Sequence, residues 1–380
     1  MYQRGPLMES VTEKAAEPMS DARFKKLAPV EPIVCADALL NVTFERKDRA
    51  AMLRFAEDFG LIRREEKGET VYLRGHGRSP FLVAIQSSTR DQFAGMSFLA
   101  KTAKDLERLS HATGTPIESL DTPGGGQRVQ LKDPWGLSVS LVYGVSWEEP
   151  LDYAHTAFPI NTPLKKARIN RPVRTALRPS PLFKLGHVVL QRTNFEEATA
   201  WYQRHFGFLP SDVQCLPDGQ PALGFFRLNR EAKPADHHTL AILGGPGANL
   251  MHVSFETLDL DAVGQGNQFL QAKGWTHFWG IGRHVLGSQV FDYWKDPAGD
   301  EWEHYADGDV MNAEYPTGYS PLTRGGLWAW GDDLPDSLRP DLPLEQIEQI
   351  HAAGGFGQID LEDVRGLMQA LSIRPRPWMR

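Results

Sequence analysis

The chain has 380 residues, of which 41% are hydrophobic and 23% charged, the composition of an ordinary globular protein with room for about two to three domains. A net charge of -7 argues against a nucleic-acid partner, which calls for a basic patch, and the apolar runs are too short to span a bilayer. Two cysteines, Cys35 and Cys215, exclude a disulfide scaffold or a cysteine-rich metal site; with an N-terminal segment that has no apolar core, they predict a cytoplasmic protein.

Residues 1–35 are polar and lack a sustained period, so they read as an arm. Residues 36–147 mix strands and helices. Ala36–Glu45 predicts a strand, and 48–60 has apolar residues at helical spacing before a stop at Gly60. Strands are predicted at 71–77 and 81–86, then GMSFLA at 95–100, a helix over 102–114, and strand material in VQLKDPWGLSVSLVYG at 129–144. Residues 148–180, rich in Pro and Arg, predict a surface linker. The order then returns over 181–310: a strand at 185–191, a helix over 194–208 with an Asn194 cap and a Gly207 stop, strands at 223–229, 238–243 and 251–258, a weaker helix over 259–274 interrupted by Gly264 and Gly266, and a strand, turn and strand from Val290 to Gly308. Residues 311–380 form an extension, with a loop rich in Tyr, Trp, Gly and Pro followed by two helical patterns at 342–355 and 360–373. It reads either as a lid, because it leaves directly after the strand carrying Glu303, or as a subunit contact; a homo-oligomer is expected.

Three anchors reveal an internal repeat. LNVTF at 40–44 aligns with GHVVL at 186–190, GMSF at 95–98 with HVSF at 252–255, and LKDPWGLSVSL at 131–141 with WKDPAGDEWEH at 294–304. The expected fold is α+β, with two tandem βαβββ-type modules. In the second, the anchors carry His187, His252 and Glu303; in the first, the same positions are Asn41, Gly95 and Ser140. Two imidazoles and a carboxylate leave three octahedral positions open on one face, a set suited to an ion that binds substrate and O2 together. A lone strand His is more often structural, and a lone Glu solvated. Joint placement at repeat anchors, with a first copy that could not ligate, singles these three out. In EWEHY, alternation puts Glu301, Glu303 and Tyr305 on one face and Trp302 and His304 on the other, which removes His304 from the ligand set.

The second module resembles the catalytic module of the type I extradiol ring-cleaving dioxygenases of the vicinal oxygen chelate superfamily, on the segment GRHVLGSQVFDYWKDPAGDEWE (282–303) and the doublet His237–His238. One departure is Asp292, where the motif usually has an apolar residue before its tyrosine. The resemblance covers about residues 36–310. It implies that His187, His252 and Glu303 hold Fe(II), with Mn(II) suiting the same ligands; that His238 is the acid–base residue; and that His284 and Tyr293 hydrogen-bond the substrate and oxygen. It implies a catechol-like substrate cleaved with O2, and Val189 on the oxygen side of the metal. His284 as a turn residue and Tyr293 as core packing are the plain alternatives. Strand parity turns His237 and His238 opposite ways, and the motif assigns the inward place to His238. Two rivals share the superfamily: a non-redox glyoxalase or epimerase, which needs a fourth protein ligand, and a ligand-binding protein with a vestigial site, which would not retain the triad.

Overall fold

The computed structural model describes residues 22–153, 159–174, 176–335 and 361–372. The first module runs β1 (Ala36–Arg46), α1 (Arg49–Phe59), β2 (Ile62–Lys67), β3 (Thr70–Arg74), β4 (Val83–Ser87), β5 (Gln92–Ala100), α2 (Ala103–Thr113), β6 (Glu118–Ser119), β7 (Gln127–Lys132) and β8 (Ser138–Tyr143). The second runs β9 (Leu182–Arg192), α3 (Phe195–Phe206), β10 (Phe208–Cys215), β11 (Pro221–Leu228), β12 (Ala235–Asp236), β13 (Leu240–Gly244), β14 (Leu250–Thr257), α4 (Leu260–Ala272), β15 (Thr276–His284), β16 (Val290–Lys295) and β17 (Glu301–Ala306). Each module is therefore a pair of βαβββ units. The sheet orders are β2-β3-β4-β1-β5-β8-β7-β6 and, within the second module, β10-β11-β13-β9-β14-β17-β16-β15, which correspond strand for strand. In both, the two units meet through an antiparallel central pair, β1 with β5 and β9 with β14.

Local signals account for the helices. Thr102 and Asp105 form a reciprocal capping box on α2, the Asn194 side chain accepts from the Glu197 N–H at the start of α3, and Gly207 takes the left-handed conformation that ends it. Helix α4 runs unbroken through Gly264 and Gly266. A side chain at Gly266 would collide with Ser180 and come within 3.1 Å of His304 Nδ1, so this glycine permits close packing and does not break the helix. Strand β15 was not expected; its sequence, THFWGIGRH, carries two glycines and no clean alternation.

Helices α1 and α3 carry rings into the seam between the modules. Phe55 and Phe59 meet the buried Trp302 edge-on, and Phe98 packs on Phe206 and Phe208. The repeat is reciprocal here. Arg46 of the first module binds Asp296 in the D-P turn of the second at 2.7 Å, while Arg192 of the second binds Asp133 in the D-P turn of the first at 2.8 Å. Each aspartate belongs to an aligned anchor, so the KDP motif recurs because each module clasps the other.

Residues 22–35 cross onto the second module, where Phe24 packs with Val213, Cys215 and Tyr319. Between 144 and 181 the described residues form no regular element. The extension adds β18 (Val310–Met311), β19 (Gly318–Pro321), a single 3-10 turn at Arg324–Gly326, β20 (Trp328–Gly331) and helix α5 (Leu361–Ser372). Strand β19 pairs with β10 at one edge of the second sheet and β20 with β15 at the other, so residues 322–327 link the two edges. The helical pattern at 342–355 lies outside the described residues. Among the described residues, no helix is long and apolar enough to cross a membrane.

Candidate metal centre and its cavity

Strands β9, β14 and β17 are neighbours at the centre of the second sheet. Ser254 of β14 lies opposite His187 on one side and Glu303 on the other. His252 lies two residues before Ser254 and so shares its face. That register gathers His187, His252 and Glu303, whose ligating atoms lie within 4.8 Å of one another. His187 Nε2 is 3.0 Å from Glu303 Oε2 and 3.3 Å from His252 Nε2, and His252 Nε2 is 3.6 Å from the same carboxylate oxygen. In the first module the equivalent rung is Asn41, Ser97 and Ser140, with Gly95 in the place of His252.

These atoms fit a small divalent ion. Two ligands at right angles and roughly 2.1 Å from one ion stand about 3.0 Å apart. Glu303 is completely buried, yet neither of its oxygens makes a well-directed hydrogen bond. A buried carboxylate without a donor is costly unless a cation meets it. Burial alone would raise its pKa, but the approach of His187 and His284 outweighs this and holds it well below the usual carboxylate range. His252 is driven down to about 3, chiefly by burial and then by the other imidazoles, so it is neutral with its lone pair available. Among the described residues, His187, His252 and Glu303 form the only such cluster; no fourth ligand joins them.

The three other expected residues border the same cavity, as does Val189. His238 is buried, with its ring 4.1 Å from that of His187. Burial, His187 and His237 push it well below the usual imidazole range. His284 ends β15 and is held at both nitrogens. Nδ1 faces the Leu327 carbonyl at 2.7 Å, so it must carry the proton, and Nε2 lies 3.0 Å from the Tyr293 hydroxyl. Tyr293 is pushed well above its usual range by burial and by Glu303, and remains a phenol.

One expectation about these residues needs revision. His237 and His238 stand in a bend between β12 and β13, so strand parity does not govern them. Far from turning away, His237 backs His238, with their Nδ1 atoms 3.0 Å apart, and His237 Nε2 lies 2.7 Å from Asp212. A carboxylate accepts, so His237 donates from Nε2; its Nδ1 then accepts from His238 Nδ1–H. The bare nitrogen of His238 is thereby Nε2. The alternative reading of His284 as a turn residue falls, because it is a paired strand residue. Asp292, the departure from the motif, is fully buried on the face opposite Tyr293 and accepts from Asn267, His277 and Trp294 at 3.0, 2.8 and 2.6 Å, which is why an acid stands where the motif has an apolar residue. As expected, His304 points away from the triad, stacks on Phe59 at 3.8 Å and donates to its carbonyl.

Asp212, the Leu327 carbonyl and the extension's leucines were not foreseen as parts of the site. Asp212 is 25 residues from its partner and carries no local signal. The His237–His238 doublet was visible, but its geometry was not.

Residues 184–304 match the Glyoxalase/Bleomycin resistance protein/Dioxygenase superfamily model. Metapyrocatechase 2 of Cupriavidus necator is 32% identical over 155 residues, 40% of this chain and 46% of that protein. The iron-dependent extradiol dioxygenase of Rhodococcus jostii (strain RHA1) is 30% identical over 166 residues, 41% of this chain and 53% of that protein. The matches thus span about half the length of these curated relatives. In fold, the Mn(II)-bound glyoxalase from Novosphingobium aromaticivorans superposes with a TM-score of 0.67 at 22% identity, covering 80% of this chain and 94% of that one. The likeness to the Glyoxalase/Bleomycin resistance protein/Dioxygenase superfamily thus falls on the second module of this chain, which carries the candidate metal centre.

Proposed function

We propose that this chain is an extradiol dioxygenase, cleaving a catechol-type ring with O2 at a divalent ion, Fe(II) or alternatively Mn(II), held by His187, His252 and Glu303. The observation that carries the reading is the two-histidine, one-carboxylate cluster beside a cavity that its His187 and His252 line together with His238, His284 and Tyr293. The names of the two curated relatives support the same chemistry. Bound there, the ion supplies a Lewis acid for the diol and a path for electrons between ring and O2.

The side chains divide the remaining work. His238, kept unprotonated by burial and its neighbours, accepts a hydroxyl proton of the diol at Nε2 and later returns it. Asp212 and His237 act behind it as positioning residues. Tyr293, which stays protonated, and His284, held by the Leu327 carbonyl, orient the oxygen side of the site. The leucine and aromatic walls exclude water while the ring is open to attack.

Anaerobic reconstitution with Fe(II), followed by air and a panel of catechols, tests this. The expected result is a yellow ring-fission product with one O2 consumed per ring. A metal-loaded protein that consumes no O2 with any catechol overturns the proposal.

A further inference from the structure

The cavity beside the triad has a volume of about 170 Å³. An apolar cavity of about 150 Å³ takes up benzene, so this one has room for a single ring and little beyond it. With the diol at the triad, the opposite edge of the ring faces hydrocarbon. Leu322, Leu327, Leu334 and Leu367, all from the extension, form much of that wall, facing Phe225 of β11. Among the described residues, no lysine or arginine lines the cavity. Among the described residues, the one acidic side chain in the wall is Glu301, which offers no positive charge in either protonation state. A carboxylate on the ring would be stripped of water here with no cation to meet it, a costly arrangement.

Resting on the ring-cleavage reading above, we infer that the substrate is a neutral catechol bearing a compact apolar substituent, and that the C-terminal extension is the wall that selects it. Leu327 has two functions. Its carbonyl holds His284, and its side chain lines the cavity, so the extension couples substituent fit to the placement of a site residue.

Binding to the full-length, metal-loaded protein without O2, followed by fluorescence of Trp279 and its neighbours, tests the inference apart from turnover. The probes are catechol, 4-methylcatechol, 4-ethylcatechol and 3,4-dihydroxyphenylacetate. Each added carbon tightens binding about fourfold, the factor equivalent to ~0.8 kcal/mol per buried methylene. The carboxylate-bearing ring binds at least about tenfold more weakly than catechol. Leu327→Ala keeps the backbone carbonyl and reduces the advantage of the ethyl group several-fold. Leu367→Lys raises affinity for the carboxylate at least about tenfold. If the dihydroxyphenylacetate binds as tightly as 4-ethylcatechol in the unaltered protein, or if Leu327→Ala leaves the ethyl advantage intact, the inference is overturned. Should the alkyl preference hold while the Fe(II)-loaded protein consumes no O2 with 4-ethylcatechol, the wall stands and the ring-cleavage reading fails. Cleavage that favours the carboxylate-bearing ring has the opposite meaning.

Discussion

Glu303 carries a buried negative charge with no well-directed donor, and the two imidazoles facing it present nitrogens 3.3 Å apart. A cation resolves both at once. Metal analysis of His187→Ala and Glu303→Ala should therefore show loss of the ion, whereas Asn41→Ala and Ser140→Ala in the first module should retain about one ion per chain. Normal occupancy in both of the first pair would rule out the ligand assignment. The chain Asp212, His237 and His238 gives a second expectation at this scale. His238→Ala should keep the metal and slow turnover by about 10²–10⁴-fold, the usual contribution of a positioned proton-transfer group. Asp212→Leu leaves His238 in place but frees its tautomer, and should cost about 10–100-fold in kcat with KM little changed. Equal kcat in Asp212→Leu and the unaltered protein would show that His238 needs no partner.

Among the elements, the extension has a clearer role than sequence reasoning assigned it. It completes both edges of the second sheet, and its Leu327 carbonyl holds His284. Truncation after Gly318 should leave a metal-binding protein with weaker substrate binding and more O2 consumed per ring cleaved, because the walls that exclude water are lost. An altered sedimentation mass with an unchanged ratio would make the extension a subunit contact instead. Helix α4 supplies a second test. Gly266→Val forces a side chain against Ser180 and the His304 ring, and should destabilise by about 1–3 kcal/mol through overpacking. Denaturant midpoints measure this, and metal content should be unchanged, because His304 faces away from the triad.

At the scale of the whole molecule, two clasps related by the repeat hold the modules together. Arg46 with Asp296 and Arg192 with Asp133 are buried pairs. Removing one partner of such a pair leaves an unmet charge, at a cost of about 3–5 kcal/mol. Arg46→Met and Arg192→Met should each shift the unfolding midpoint by a comparable amount, and Arg46→Met should loosen the second module although it lies in the first. A large effect at one arginine and none at the other would show that the reciprocity is only geometric.

Much of this was legible locally. Strand alternation separated Glu303 from His304, glycine and cap residues marked helix ends, and three anchors exposed a repeat whose second copy carries His187, His252 and Glu303. Such features depend on neighbours two to four residues apart, and their periods are written in the chain. The rest depends on contacts between distant residues. Register across β9, β14 and β17 brings the triad together, and the bend at His237 and His238 defeats a parity argument that assumed a strand. Asp212 reaches His237 across 25 positions, and the leucines of the extension reach the cavity only because β19 and β20 pair with opposite edges of one sheet. No local period encodes which edge a later segment will meet. The residues that can bind a metal were therefore readable from the sequence, whereas the leucine wall of the cavity beside them was decided by tertiary packing.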